Sequence, residues 1–125
     1  MEILIIKGTE DTPRIEFDYE KGEFTISGRS LPEDVTSFYQ PVMVWLEEFA
    51  LKPKVESKFN FKLEYFNTAS SKILLDILLK LEEIAEASGS SFKVLWHSQD
   101  SDPDMLEAGE EYADIVTIPF EYVTY

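Results

Sequence analysis

KFNFKLEYFNTASSKILLDILLKLEEIAEA, residues 58–87, changes its hydrophobic period once, and that change sets the fold class. From Lys58 to Phe66 apolar and polar residues alternate: Phe59, Phe61, Leu63 and Tyr65 fall on one side, Lys58, Asn60, Lys62 and Glu64 on the other. A period of two with one polar side predicts a strand buried on a single face. From Ser71 to Ala87 the period becomes helical, with Leu74, Leu78, Leu81 and Ala85 on one line and Ile73, Ile77 and Ile84 beside it. So wide a stripe predicts a helix lying flat on a sheet. Lys72, Asp76, Lys80 and Glu83 form its narrow polar back, spaced closely enough to pair.

The same alternation of periods continues outward in both directions. Upstream, residues 2–6 read as a strand and GTEDTP (8–13) as a loop, with Pro13 holding Thr12 extended. RIEFDY and EFTISG flank a turn at Gly22 and predict a hairpin, with Ile15, Phe17, Tyr19, Phe24 and Ile26 on the same side of the sheet. Ser30-Leu31-Pro32-Glu33 matches a capping box and predicts a helix start. Val35, Phe38, Val42, Trp45, Leu46 and Phe49 form the stripe of that helix, and Pro41 inside the stripe predicts a kink or restart. Downstream, SGSS (88–91) stops the long helix and FKVLWH (92–97) reads as a strand. A short amphipathic helix follows, weakened by Gly109, and then a terminal segment with Pro119 that suits an edge. The expected architecture is α/β, a two-layer mixed β-sheet with helices on one face and the other face at least partly open, in one domain over residues 1–125.

Composition narrows the function classes. Eleven basic residues face twenty-five acidic ones, a formal charge of −14. Nucleic-acid affinity rests on Lys and Arg neutralising phosphates, and anionic lipid repels an acidic chain, so neither nucleic acid nor membrane is an expected partner. A protein with a basic patch is the natural counterpart, although acidity alone also keeps a protein soluble. With no cysteine there is no disulfide framework, thiolate nucleophile or cysteine metal site. MEILIIKG opens on an acid and a short apolar run, unlike a signal peptide, and no stretch suits a bilayer span, so the expected location is the cytoplasm.

Residues able to carry chemistry are few. His97 is the sole histidine, at a strand end beside Trp96, with no Ser or Cys motif near it; a packed or surface role is expected over catalysis. Asp100, Asp102, Asp104 and Glu111 imitate calcium-loop spacing, but Met105 stands where that loop turns on glycine, and helix capping accounts for the same acids. Phosphate loops, dinucleotide fingerprints and nucleophile elbows are missing, so no cofactor, metal or catalytic residue is expected. There remains Asn67-Thr68-Ala69-Ser70-Ser71, at the strand-to-helix junction. Such residues are favoured as helix caps. One cap suffices, and a spare hydroxyl beside the positive end of a helix is also a place where a phosphate is tolerated. The residues alone leave cap and switch both open.

GTEDTPRI (8–15), SLPE (30–33), VWLEEF (44–49), EYFNTASSK (64–72), KVLWH (93–97) and IPFE (118–121) together, in this order over nearly the whole chain, resemble the SiaC family of bacterial regulatory phosphoproteins. GTxxTP and FNTxSSK are the most specific parts. The resemblance implies a fold like the STAS domains of anti-sigma-factor antagonists and a phosphoacceptor at Thr68, served by a partner kinase and phosphatase. It also implies that the unmodified form binds and activates a diguanylate cyclase, tuning cyclic di-GMP and biofilm formation, and that the phosphorylated form does not. Ala69 departs from the serine common in the family, which leaves Ser70 and Ser71 as alternative acceptors.

On this reading Thr68 lies on the loop before the helix, Asn67 orients that loop, and Ser70 or Ser71 caps. Lys72 and, from GTEDTP, Thr9 and Thr12 complete the partner-binding surface. A constitutive adaptor, indifferent to phosphate, and a small enzyme using His97 and acidic residues are the competing readings.

Overall fold

The computed structural model describes residues 1–125. Strands β1 (Leu4–Ile6), β2 (Arg14–Asp18) and β3 (Glu23–Ser30) are followed by α1 (Val35–Leu51), β4 (Glu56–Phe66), α2 (Thr68–Ser88), β5 (Ser91–Ser98), α3 (Pro103–Ile115) and β6 (Phe120–Thr124). The six strands form one sheet in chain order. β1, β2 and β3 are an antiparallel meander, and β3 to β6 run parallel. The three parallel crossovers all advance the same way along the sheet, so their shared right-handedness sets α1, α2 and α3 on one face. Mixed strands with helices on one side match the architecture expected from the alternating periods.

Register explains which side chains meet the helices. Phe17 pairs with Phe24, Phe24 with Phe59 and Phe59 with Val94, one apolar row across four strands. Ile15, Ile26, Phe61 and Trp96 form the next row. These rows, with Val42, Leu46 and Phe49 of α1 and Leu74, Leu78 and Leu81 of α2, belong to one cluster of 24 buried residues. Glu16, Thr25, Asn60 and Leu95 line up on the opposite, uncovered face.

Local expectations change at five places. Ser30 does not open a helix: it is the last residue of β3, and α1 is capped by Asp34, whose side chain accepts from the Ser37 amide at 3.1 Å. Ser30 is in phase with Phe24 and Ile26, so the strand claims it for the core face before the capping-box pattern can act. The helix does not restart at Pro41, which lies on the exposed side of α1, where solvent can take up the carbonyl of exposed Ser37 that the proline leaves without a donor.

Tyr65 leaves the buried side. Gly28 pairs with Leu63 and Arg29 with Tyr65, so Glu64 is the extra residue of a β-bulge, and Gly28 beside it takes φ 101°. Beyond the bulge the phase reverses: Tyr65 faces solvent with the Arg29 guanidinium over its ring, and Phe66 turns to the core against Trp96. Finally, α2 begins three residues early, at Thr68, with Asn67 as its cap. Gly109 does not break α3, because a Cβ there would fall inside the Trp96 indole; the glycine lets helix and sheet approach.

Candidate functional site

The carboxyl end of β4 and the first turn of α2 gather most of the residues singled out above. Asn67 Oδ1 accepts from the Ser70 amide at 2.8 Å, and the Asn67 carbonyl accepts from the Ser71 amide at 2.9 Å. Thr68 is therefore the first helical residue, exposed, and its hydroxyl enters none of the hydrogen bonds at this junction. Capping, expected of Ser70 or Ser71, belongs to Asn67. Ser71 is half-buried and donates its hydroxyl to the Thr68 carbonyl at 2.7 Å.

Ser70 is fully buried, and beneath it lies a polar chain that sequence reasoning missed. Ser70 Oγ is 2.9 Å from the Ser30 carbonyl and 2.8 Å from Ser30 Oγ, which is 2.7 Å from the Tyr39 hydroxyl. Each hydroxyl has one proton. Ser70 must donate to the carbonyl, so Ser30 donates to Ser70 and Tyr39 donates to Ser30. The chain is directional and complete. Burial pushes the Tyr39 phenol up to about 12, against the opposing pull of its Ser30 bond, so it keeps its proton. The signal that could have found Ser30 is its period-two phase with Phe24 and Ile26.

The loop GTEDTP reaches the same edge. Thr9 and Thr12 close it through their hydroxyls, 2.6 Å apart, through the Thr12 amide donating to Thr9 Oγ1 at 3.0 Å, and through the Thr9 amide donating to the Thr12 carbonyl at 2.9 Å. The Asp11 carbonyl accepts from the Leu31 amide at 2.7 Å, and the Ser30 carbonyl accepts from the Asn67 amide at 3.1 Å. Two backbone bonds thus tie the loop, the end of β3 and the start of α2 into one rim.

α3 closes the other side. Tyr112 donates its hydroxyl to the Ser71 carbonyl at 2.8 Å, and burial, with the Glu111 charge second, holds that phenol protonated. Between α2 and α3 an open groove of about 250 Å³ is lined by Phe66, Ser71, Lys72, Leu75, Tyr112 and Ile115, among others. Lys72 is exposed on its rim.

The other candidates lie elsewhere. His97 sits half-buried on the uncovered sheet face, Nε2 3.1 Å from Asn60 Oδ1; burial first and the Lys62 charge second push it below the usual histidine range. Asp102 caps α3 through the Met105 amide at 3.1 Å and Asp104 occupies its first turn, as helix capping predicts. These acids, with Asp100 and Glu111, converge on no metal site.

Comparison with known proteins identifies the family and the fold. The model of the SiaC family regulatory phosphoproteins matches residues 6–125. The chain is 32% identical over 120 residues to an uncharacterized protein of Pseudomonas aeruginosa (strain UCBPP-PA14), covering 96% of this chain and 94% of that one. It superimposes on the crystal structure of apo-SiaC from Pseudomonas aeruginosa with a TM-score of 0.88 at 30% identity, over 98% of this chain and 99% of the other. A chain in the crystal structure of the diguanylate cyclase SiaD in complex with its activator SiaC, from the same species, gives a TM-score of 0.90 at 30% identity, over 98% and 99%.

Proposed function

This chain belongs to the SiaC family of regulatory phosphoproteins, and from that premise we propose that it is a phosphorylation-controlled, partner-switching regulator. Its unmodified form binds and activates a diguanylate cyclase, as SiaC is the activator of SiaD, and phosphorylation at Thr68 abolishes binding. A kinase transfers the γ-phosphoryl group of ATP to Thr68 Oγ1, releasing ADP and the hydroxyl proton; a phosphatase returns the hydroxyl by hydrolysis. Dependence on ATP and on a cyclase assigns it to the cytoplasm, and no helix is long and apolar enough to cross a membrane.

The observation that carries the acceptor assignment is the contrast among neighbouring hydroxyls. Ser70 is buried and bonded, Ser71 is bonded to the Thr68 carbonyl, and Thr68 alone is exposed and uncommitted. A phosphate there meets the amino terminus of α2, where backbone N–H groups and the helix dipole favour an anion. Modification therefore leaves the fold intact, and its effect falls on the partner. A phosphate of roughly −1.5 to −2 charges inside a protein interface must be desolvated without a cation from the partner, which costs several kcal/mol. Asn67 fixes the turn that presents Thr68, while Lys72, Ser71 and the Thr9-Thr12 loop frame it.

We read the protein as non-enzymatic. His97 has an amide and a lysine for company, and the two carboxylates with shifted titration, Asp34 and Glu121, are held low by the Ser37 cap and by Lys93. Those are structural bonds, outside any pocket suited to acid–base work.

The test uses Thr68→Asp and Thr68→Ala with a diguanylate cyclase of the source organism. Thr68→Asp is expected to lose binding and cyclase activation while unfolding no earlier than the wild type; Thr68→Ala keeps both. Mass spectrometry of the 64–83 peptide after incubation with kinase and ATP should place the phosphate on Thr68. Equal binding by wild type, Thr68→Asp and Thr68→Ala overturns the switch.

A further inference from the structure

The three helices carry eleven acids and only two cations, Lys72 and Lys80. Lys80 is committed, 2.9 Å from Glu47 and 3.6 Å from Glu83. Lys72 has no carboxylate within ion-pair distance, although acids crowd the layer around it. It stands on the α2 rim of the groove, with Glu111 on the α3 rim. Between them lie Leu75, half-buried, the Tyr112 ring, and Ile115, 56% exposed at the end of α3. An apolar trough with a free cation on one edge and an anion on the other is a surface with an assigned polarity. Its walls are set by two contacts already described, Tyr112 on the Ser71 carbonyl and Gly109 on Trp96.

Lys72 also has a fixed relation to Thr68. Residues four apart on a helix share a face, with Cβ atoms about 5–6 Å from each other. The long lysine side chain bridges that gap to a phosphate on Thr68 Oγ1, making an ion pair within the helix.

We propose that the α2–α3 groove docks a protein partner through a segment whose apolar side chains fill the trough and whose carboxylate pairs with Lys72, and that a phosphate on Thr68 releases it by capturing Lys72. This rests on the Thr68 reading above. The switch is then a competition between two anions for one cation, with like-charge repulsion driving out the loser. The same segment presents a base toward Glu111. A second copy of this chain is a poor occupant, since two such acidic helix layers laid face to face repel.

The experiment measures the affinity of a purified diguanylate cyclase from the source organism for the wild type and for Thr68→Asp, Lys72→Gln, Ile115→Asp and Ile5→Asp. Ile5 lies on the uncovered sheet face, 51% exposed, and serves as the control. Ile115→Asp should weaken binding about thirty-fold, as loss of an interface anchor does, and Lys72→Gln about tenfold. Ile5→Asp should bind as the wild type. Thr68→Asp should weaken binding less in the Lys72→Gln background than in the wild type, since the cation it captures is gone. If Lys72→Gln and Ile115→Asp bind normally while Thr68→Asp does not, the groove is overturned and the Thr68 reading stands. Normal binding by Thr68→Asp overturns both. A free-chain dimer that Ile115→Asp dissociates overturns the assigned occupant in favour of a second copy.

Discussion

α1, α2 and α3 start with the same bond and different charges. Each has an Asx side chain accepting from the amide three residues on: Asp34 from Ser37 at 3.1 Å, Asn67 from Ser70 at 2.8 Å, Asp102 from Met105 at 3.1 Å. α1 and α3 place a carboxylate on the positive end of their dipoles, and α3 adds Asp104 in its first turn. α2, the longest at 21 residues, is capped by a neutral amide and has no acid in its first turn. In a chain with twenty-five acids, the helix with an open positive end is the one that presents Thr68. Capping geometry does not distinguish the three; charge does. A carboxylate cap would already fill the field that a phosphate on Thr68 is proposed to use, and would repel it.

The helices also differ in how they are held to the sheet, and that is where the comparison can be broken hardest. α3 is anchored by close approach: Gly109→Ala drives a methyl into Trp96 and should cost about 3 kcal/mol, read as a lower denaturation midpoint with unchanged slope. α2 is anchored by hydrogen bonds. Ser70→Ala strands the buried proton of Ser30 and should cost about 2 kcal/mol. Tyr39→Phe removes only the first donor of the chain, leaves every other proton matched, and should cost less, about 1 kcal/mol. A Tyr39→Phe loss as large as that of Ser70→Ala would show that the donor order is wrong.

Exchanging the caps probes charge with geometry held constant. Asn67→Asp keeps the bond to Ser70 and should raise stability by about 0.5 kcal/mol, while Asp102→Asn should lower it by a similar amount. On the proposed reading Asn67→Asp also disfavours the phosphate, so mass spectrometry should find less modified Thr68 at equal kinase exposure. If Asn67→Asp is modified as fully as the wild type, the neutral cap has no part in the switch.

Much of this was legible in the residues because it depends on phase alone. The alternation of Phe59, Phe61 and Leu63 and the helical recurrence from Leu74 to Leu81 identify β4 and the body of α2, with the buried side assigned. Sequence and structure part where one residue decides between phases. Glu64 bulges and carries Tyr65 out and Phe66 in, a register event set by the partner strand and invisible along one chain. Ser30 fits a capping box locally and a core-facing strand position in register, and the sheet wins because eight residues of β3 share it. Along the sequence, the small polar residues Asn67, Thr68, Ser70 and Ser71 read as a loop before the helix; in the fold Asn67 caps first and leaves the others helical. That shift makes the proposed acceptor the first helical residue, within the dipole's field. The Ser30-Ser70-Tyr39 chain spans 40 residues and three elements, and such long-range polar closure has no sequence period.

Acidification offers the mildest test, and it separates α1 from α2 without a mutation. The Asp34 carboxyl is held below the ordinary carboxylate value, chiefly by the Ser37 amide and then by the Ser37 hydroxyl. A group whose folded value lies below its unfolded one lends stability that is fully present above the unfolded value and is lost as the pH falls through the folded one. Protonation removes the charge and weakens both bonds, so the first turn of α1 should loosen in acid. Asn67 has no proton to gain in that range, and the first turn of α2 should hold. Followed by NMR from about pH 5 to about pH 2, the Ser37 amide should shift along a titration curve and the Ser70 amide should not. If Ser70 titrates with Ser37, the amino terminus of α2 is sensing a carboxylate, and the contrast between a charged and an uncharged helix start is lost.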